Sequence, residues 1–445
     1  MTHSNSELIA STPTQKRALS YANTILNLFS EVMSTQKPAD RILANYFREH
    51  KKHGSKDRRI IRETLFGLFR WWGWLKQNLS SSHNPATVDA ETIKLLLATA
   101  LLEQHSWEAI IQAWAELSET DVELLTEIQT QDSKLDRIAK LYPQHKFELT
   151  QLLPESFWSH IQLSEEQQSK LADSMLSRPP IWARAQFEKT ETVISSLESD
   201  DINISRSEFF NDALHLGTKS INLPQVKAYQ QGKLEIQDLA SQVIGNVCSP
   251  KPDEQWWDAC AGAGGKSLQL ASLMSREATS KPAGKIISSD IRSSALEELS
   301  KRAKRANTKL IKTQYWKAES LPVKENYFDG VLVDAPCTCT GTWRRNPDMR
   351  WTDTLENVGD TANLQLHILT QSAQAVKSAG TLVYATCSLL DKENRHVVES
   401  FLADNPEFEL VKLIHPFTGE AKSYLTIWPY EANSDGMFVA KMIKK

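Results

Sequence analysis

Apolar positions in the first third of the chain recur at helical spacing. Ile60, Ile61, Leu65, Leu68, Phe69 and Trp72 follow one another at intervals of one, three and four, which aligns them on one helix face. Ser80, Ser81, Ser82 and Asn84-Pro85 interrupt the pattern, and Leu95, Leu96, Leu97 and Leu101 open another apolar helix. Glycine is nearly absent here, so residues 21–153 are expected to form an all-helical domain. The Ser/Thr-rich residues 1–20 are expected to fray as a flexible tail. Over 154–235 the texture changes. Pro179-Pro180 precedes the strand-like Ile181–Ala185, and short runs such as Ile202–Ile204 and Ala213–Leu216 alternate with polar stretches, as in a small α/β module. Over 236–445 the pattern is strand, turn, helix, repeated. Ile286-Ile287, Val331–Val333 and Thr381–Tyr384 each run into a polar or Gly-rich loop, which predicts a doubly wound α/β domain with a parallel sheet.

Composition narrows the class. The 445 residues carry 51 Lys+Arg against 55 Asp+Glu, with 40% apolar and 24% charged residues, a balance that excludes disordered and collagenous chains. No run approaches the roughly 18 apolar residues of a spanning helix, so no membrane association is expected. Residues 1–15 lack a basic segment followed by an apolar one, and five cysteines make no disulfide framework. A cytoplasmic setting with reduced thiols is expected. The net charge of −4 does not exclude nucleic acid as a partner, because contact depends on local charge. From Arg41 to Lys76 there are ten basic and three acidic residues. That excess of seven reads either as a solvated helix face or as a phosphate-contacting patch, with Trp71, Trp72 and Trp74 beside it as core or contact.

In doubly wound sheets ligands sit beyond the carboxyl ends of the strands. The first such end reads Asp258-Ala259-Cys260-Ala261-Gly262-Ala263-Gly264-Gly265-Lys266, a strand entering a glycine loop and then a helix. The second ends in Asp290, 25 residues after Gly265, placed for ribose hydroxyls or as a helix cap. The third is Val333-Asp334-Ala335-Pro336-Cys337-Thr338-Cys339 and the fourth Tyr384-Ala385-Thr386-Cys387-Ser388. Two cysteines, Cys337 and Cys387, thus close two strands of one sheet, and a thiolate is a strong nucleophile. A P-loop reading fails because Cys260 stands where its first glycine is required. No metal is expected. Cys337 and Cys339 offer two thiols, but no CxxC pair or spaced histidines complete a tetrahedral set. A Cys–His hydrolase built from Cys387 and His396 lacks any mark of an oxyanion hole.

Together the four strand ends resemble the Sun/Nop family of RNA cytosine-C5 methyltransferases. The matching stretches are DACAGAGGK (258–266), Asp290, DAPCTCTGTWRRNPDMRW (334–351) and YATCSLLDKEN (384–394), with IQDLASQ (236–242) and SDGMFVAKM (434–442). RPPIWARAQ (178–186) resembles the family's small domain, and DRRIIRETLFGLFRW (57–71) the NusB-like RNA-binding domain of its RsmB branch. The resemblance implies a Rossmann-type methyltransferase domain, S-adenosylmethionine as cofactor and a cytosine of small-subunit (16S) ribosomal RNA as substrate. Transfer RNA, or a role as an assembly factor with a vestigial site, stands as the alternative. It implies Cys387 as the nucleophile on carbon 6, Cys337 in release of the product, Asp334 on the base near N3 and Lys266 beside them. Cys260, Ala261, Gly262, Ala263, Gly264, Gly265, Lys266, Asp290 and Asp334 would hold the cofactor. Arg344 and Arg345 would contact RNA, backed by Arg350 and by the basic run from Lys301 to Lys317, which meets no acid until Glu319. A monomer is expected.

The chain departs from the family at three places. Gly262-Ala263 replaces Ala-Pro in the usual CAAPGGK loop, which predicts a more flexible loop. Tyr315-Trp316-Lys317 stands where an acid usually meets the adenine, leaving Trp316 as a stacking surface. Gln186 replaces a common asparagine.

Overall fold

Thr12 and Gln15 form a capping box, with Pro13 at the first helical position, and so start the helix Pro13–Thr35. This local chemistry outweighs the Ser/Thr-rich composition, and the helix begins inside the stretch expected to fray. The structure is a computed structural model and describes residues 8–80, 83–278, 282–317 and 320–445. Residues 1–7, Ser81 and Ser82 of the expected break, and Glu319 lie outside the described residues.

The chain forms two compact units. One comprises the residues up to Ser177 together with Asn346–Thr354, and the other Arg178–Arg345 and Leu355–Lys445. In the first, helix Ser55–Leu75 buries Ile60, Ile61, Leu65, Leu68 and Phe69, the face its periodicity marks. Trp71 and Trp74 are core, and half-buried Trp72 lies 4.6 Å from Phe29, ring centre to ring centre. Of the ten basic residues from Arg41 to Lys76, Arg70 is buried against Glu103 at 3.0 Å, and the other nine are exposed.

The expected boundary at 153 moves to 177, because Leu171, Ala172 and Met175 pack into this helical unit. The segment 346–354 belongs there too. Arg350 is fully buried and donates to the carbonyls of Arg70 and Leu152, each at 3.3 Å. The Trp351 indole donates to the Phe69 carbonyl at 2.7 Å, and Asp348 accepts from the Ala39 amide at 2.9 Å. The expectation that Arg350 tracks an RNA backbone therefore fails. Its guanidinium satisfies interior carbonyls, which would otherwise be unpaired.

The second unit contains a four-stranded antiparallel sheet in the order Ser205–Arg206, Ala213–His215, Trp182–Ala185, Leu234–Ile236. Gln186 sits beside it, buried, accepting from Arg184 at 3.1 Å and donating to the Gly232 carbonyl at 2.9 Å. The larger sheet has eight strands: β1 (Gln255–Asp258), β2 (Lys285–Asp290), β3 (Ile311–Tyr315), β4 (Phe328–Asp334), β5 (Val376–Thr386), β6 (Phe408–Leu410), β7 (Tyr424–Ile427) and β8 (Met437–Lys444). Its order is β6-β8-β5-β4-β1-β2-β3, with β7 also paired to β8. Strands β1 to β5 are parallel, and β8 runs antiparallel to β5.

Alternate residues of the central strands feed two cores. Trp257, Val331, Val333, Leu382 and Tyr384 pack on one face, and Trp256, Leu332 and Val383 on the other. This is the Rossmann-type doubly wound architecture, and it brings the carboxyl ends of β1, β2, β4 and β5 to one edge. Among the described residues no helix is long and apolar enough to cross a membrane.

Replacing Arg350 by Ala should destabilise the helical unit by about 2–4 kcal/mol, because two buried carbonyls lose their donor. Urea unfolding checks this, and a loss under about 0.5 kcal/mol would show those carbonyls to be otherwise satisfied.

Candidate active site

The end of β1 starts the site. Asp258 is fully buried. Its Oδ2 accepts from the Ser267 hydroxyl at 2.6 Å, while Oδ1 finds no partner among the described residues. Burial pushes its pKa up to about 7, against the pull of the Ser267 hydrogen bond. Gly264 adopts φ +86°, which turns the chain into helix Gly265–Glu277, and a Cβ there would strike Leu299.

The Gly262 amide donates to Asp290 Oδ2 at 2.9 Å, the Ala261 amide to the Ser289 carbonyl at 2.8 Å, and Arg302 to the Ala263 carbonyl at 2.6 Å. The loop expected to be loose for want of a proline is thus braced at three successive residues. Arg302 also pairs with Glu235 at 3.0 Å, as Arg305 does at 3.2 Å, so these members of the basic run serve the fold. Burial would raise the pKa of Asp290, but hydrogen bonds from Arg292 outweigh it and hold the carboxyl below its usual range.

At the end of β4, Asp334 accepts from Lys266 Nζ at 2.7 Å. Burial works against the lysine's charge, yet the adjacent carboxylate wins and holds its pKa above the ordinary value. Three residues on, Cys337 Sγ lies 3.3 Å from Cys387 Sγ, at the end of β5. Cys339 joins them, so that all three sulfurs lie within 4.8 Å of one another. S–H donation from Cys337 and Cys387 holds the Cys339 thiol below its ordinary range, and the pKa values of Cys337 and Cys387 are pushed up.

Glu393 fixes the two cysteine loops. It is fully buried. It accepts from the Thr338 amide (2.9 Å) and hydroxyl (2.5 Å), from the Ser388 hydroxyl, and from Gln365 Nε2 (3.0 Å), which also reaches the Pro336 carbonyl. The Gly341 amide donates to the Cys387 carbonyl at 2.8 Å, and a Cβ on Gly341 would meet that oxygen and the carbonyl of Gly436. Glu393 lies inside a matching motif, but its side-chain partners are scattered from 338 to 388 and no local signal assigns it a role.

These groups open into one cavity of about 1010 Å³ within the second unit. Its wall includes Cys260 to Ala263, Gly265, Lys266, Asp290, Ile291, Trp316, Asp334, Cys337, Cys339 and Cys387. A nucleoside-sized cofactor fits the residues present. A Cβ on Gly265 would find nothing nearer than Arg302 at 3.9 Å, so the glycine leaves open a space that a side chain would fill. Trp316 edges the cavity, but its ring lies against Trp257 (5.1 Å between centres) and its N–H is taken by the Ser320 carbonyl. It is 5% exposed and offers little stacking surface.

The two arginines expected on RNA separate. Arg344 is 2% exposed and donates to the Ser434 carbonyl and to Asn433, so burial removes it from direct contact. Arg345 is exposed at the cavity and pairs with Asp238 at 3.1 Å and Asp435 at 3.2 Å.

Residues 246–443 match the family described as 16S rRNA methyltransferase RsmB/F. The chain is similar to this family over that span, a little under half of its length. It is 32% identical over 57% of its length to the probable ribosomal RNA small subunit methyltransferase B of Bacillus subtilis, and spans 57% of that protein. It is 27% identical to ribosomal RNA small subunit methyltransferase B of Yersinia pestis, over 89% of this chain and 92% of that one. The crystal structure of PH0851 shares the fold over 98% of this chain and all of its own, with TM-score 0.72 and 23% identity. The matched family and both relatives are described as ribosomal RNA methyltransferases.

Two outcomes test this geometry. Glu393→Gln should lower methyl-transfer kcat roughly 100-fold, because an amide N–H would face the Thr338 or Ser388 donors. Cofactor affinity measured by calorimetry should hold, and an unchanged kcat would remove Glu393 from any positioning role. Asp258 has a folded pKa above its unfolded value, so its protonated form contributes stability at low pH that is lost as pH rises through about 7. The Tm difference between Asp258→Asn and the unsubstituted protein should shift in the variant's favour from about pH 5 to about pH 8. A pH-independent difference would contradict the shift.

Proposed function

We propose that this enzyme methylates carbon 5 of a cytosine in small-subunit ribosomal RNA through a covalent adduct on Cys387. The observation that carries the reading is the pair of thiols 3.3 Å apart at the ends of adjacent parallel strands, in one cavity with the Lys266–Asp334 pair. Carbon 5 of cytosine is a poor nucleophile. Addition of the Cys387 thiolate to carbon 6 gives it enamine character, and this splits one hard step into two easier ones. Bound S-adenosylmethionine supplies an electrophilic methyl group on sulfonium. Asp334 stands to hydrogen-bond the base near N3, favouring its electrophilic, protonated form, and Lys266 keeps that carboxyl oriented. After transfer, Cys337 assists loss of the carbon-5 proton, and the Cys387 sulfur is expelled as carbon 6 regains its double bond.

The cofactor would lie on the loop from Cys260 to Lys266, with Asp290 at its ribose. The base reaches the cavity only when unstacked, so the target cytosine is single-stranded or flipped out. The exposed basic face of helix Ser55–Leu75 and Arg345 are the groups offered to RNA phosphates. The printed names of the Bacillus and Yersinia relatives support ribosomal over transfer RNA.

Purified protein, methyl-labelled S-adenosylmethionine and unmodified total RNA should yield labelled 5-methylcytosine in the small-subunit RNA fraction. Label in transfer RNA would move the substrate, and none in any fraction would overturn the reading. Cys387→Ala should abolish transfer. Cys337→Ala should leave protein covalently attached to RNA, seen as a retarded band on a denaturing gel. Normal turnover by Cys337→Ala without adduct would remove Cys337 from the release step.

A further inference from the structure

The reaction uses two of three gathered thiols. Cys339 has no part in it, yet its sulfur lies within 4.8 Å of both others. Its backbone is held at φ +56°, a left-handed conformation that disfavours a residue with a side chain. We infer that Cys337, Cys339 and Cys387 form a binding site for one thiophilic divalent cation of the zinc type, whose occupancy silences the nucleophile.

A zinc-type ion binds thiolate sulfur at about 2.3 Å, so three sulfurs around it stand roughly 3.8 Å apart. Here one pair is 3.3 Å apart and the rest lie within 4.8 Å, so side-chain rotations of an ångström or less close the set. All three residues line the cavity, which leaves the fourth coordination position to water. Three thiolates around a dication carry one net negative charge, which the open cavity leaves to solvent. Ligation is balanced simply. Three metal–sulfur bonds form, each thiol still protonated passes its proton to solvent, and the ion sheds water. With its lone pairs on the metal, Cys387 is unable to add to a base. The sequence hides this set because Cys337-Thr338-Cys339 is not a CxxC pair, and the third thiol arrives from the neighbouring parallel strand.

The site itself stands apart from the methylation reading, and only its inhibitory effect depends on that reading. The test titrates the full chain with Cd²⁺ and follows thiolate-to-metal charge-transfer absorbance. One Cd²⁺ per chain is expected, with the intensity of three Cd–S bonds, and Zn²⁺ should displace it. Cys339→Ser should remove about a third of that intensity and weaken binding about tenfold or more, and Cys339→Ala should do the same. Cys260→Ser, the other thiol on the wall, should leave the titration unchanged. Zn²⁺ should also suppress the Cys387-dependent RNA product, with recovery on chelation. Two or fewer Cd–S bonds per chain, or no effect of either Cys339 substitution, would overturn the site. Three-thiolate binding without loss of methylation would overturn only the silencing.

Discussion

A buried carboxyl group with no donors costs several kcal/mol, and Glu393 avoids that cost only if two loops wrap around it. One loop follows β4 and carries Cys337. The other follows β5 and carries Cys387. Their shared obligation to Glu393 sets the distance between the sulfurs. The parallel pairing of Asp334 with Ala385 brings the strands to the same edge, and the acid then fixes what lies beyond them. The same economy holds at the cofactor loop, where Asp290 and Arg302 tie down a backbone that its glycines would leave free.

Charge in this chain does two kinds of work, and burial separates them. Arg70, Arg344 and Arg350 are interior residues that satisfy carbonyls or acids. Arg302 and Arg305 share the buried Glu235. What remains for phosphates is the exposed set on helix Ser55–Leu75, the lysines of the later basic run and Arg345. A count of Lys and Arg along the sequence overstates the positive charge left at the surface.

The strand ends were legible because each joins a short apolar run to residues of unusual chemistry: three glycines, an acid, two cysteines. The repeated strand, turn, helix pattern also foretold a doubly wound sheet. Arg344 was not legible, since an arginine after a catalytic motif looks the same whether it faces solvent or the Ser434 carbonyl. The role of Glu393 and the third sulfur beside Cys337 and Cys339 were hidden for a related reason. Their meaning lies in partners some 48 to 55 residues away, which only strand pairing brings together. The start of the first helix was missed because a capping box at Thr12 was hidden in a polar stretch.

The nine residues Asn346–Thr354 leave the catalytic motif to become interior packing of the helical unit, and the chain then returns. This interleaving bears on ancestry and on dissection. A cut at Ser177 would leave Arg350 and Trp351 stranded on the catalytic fragment, with the carbonyls they satisfy on the other piece. The two units are therefore interleaved in sequence rather than consecutive. A genome that recombined them as separate modules would have to rewrite the stretch after Arg345 as well, so the pair is expected to be inherited as one.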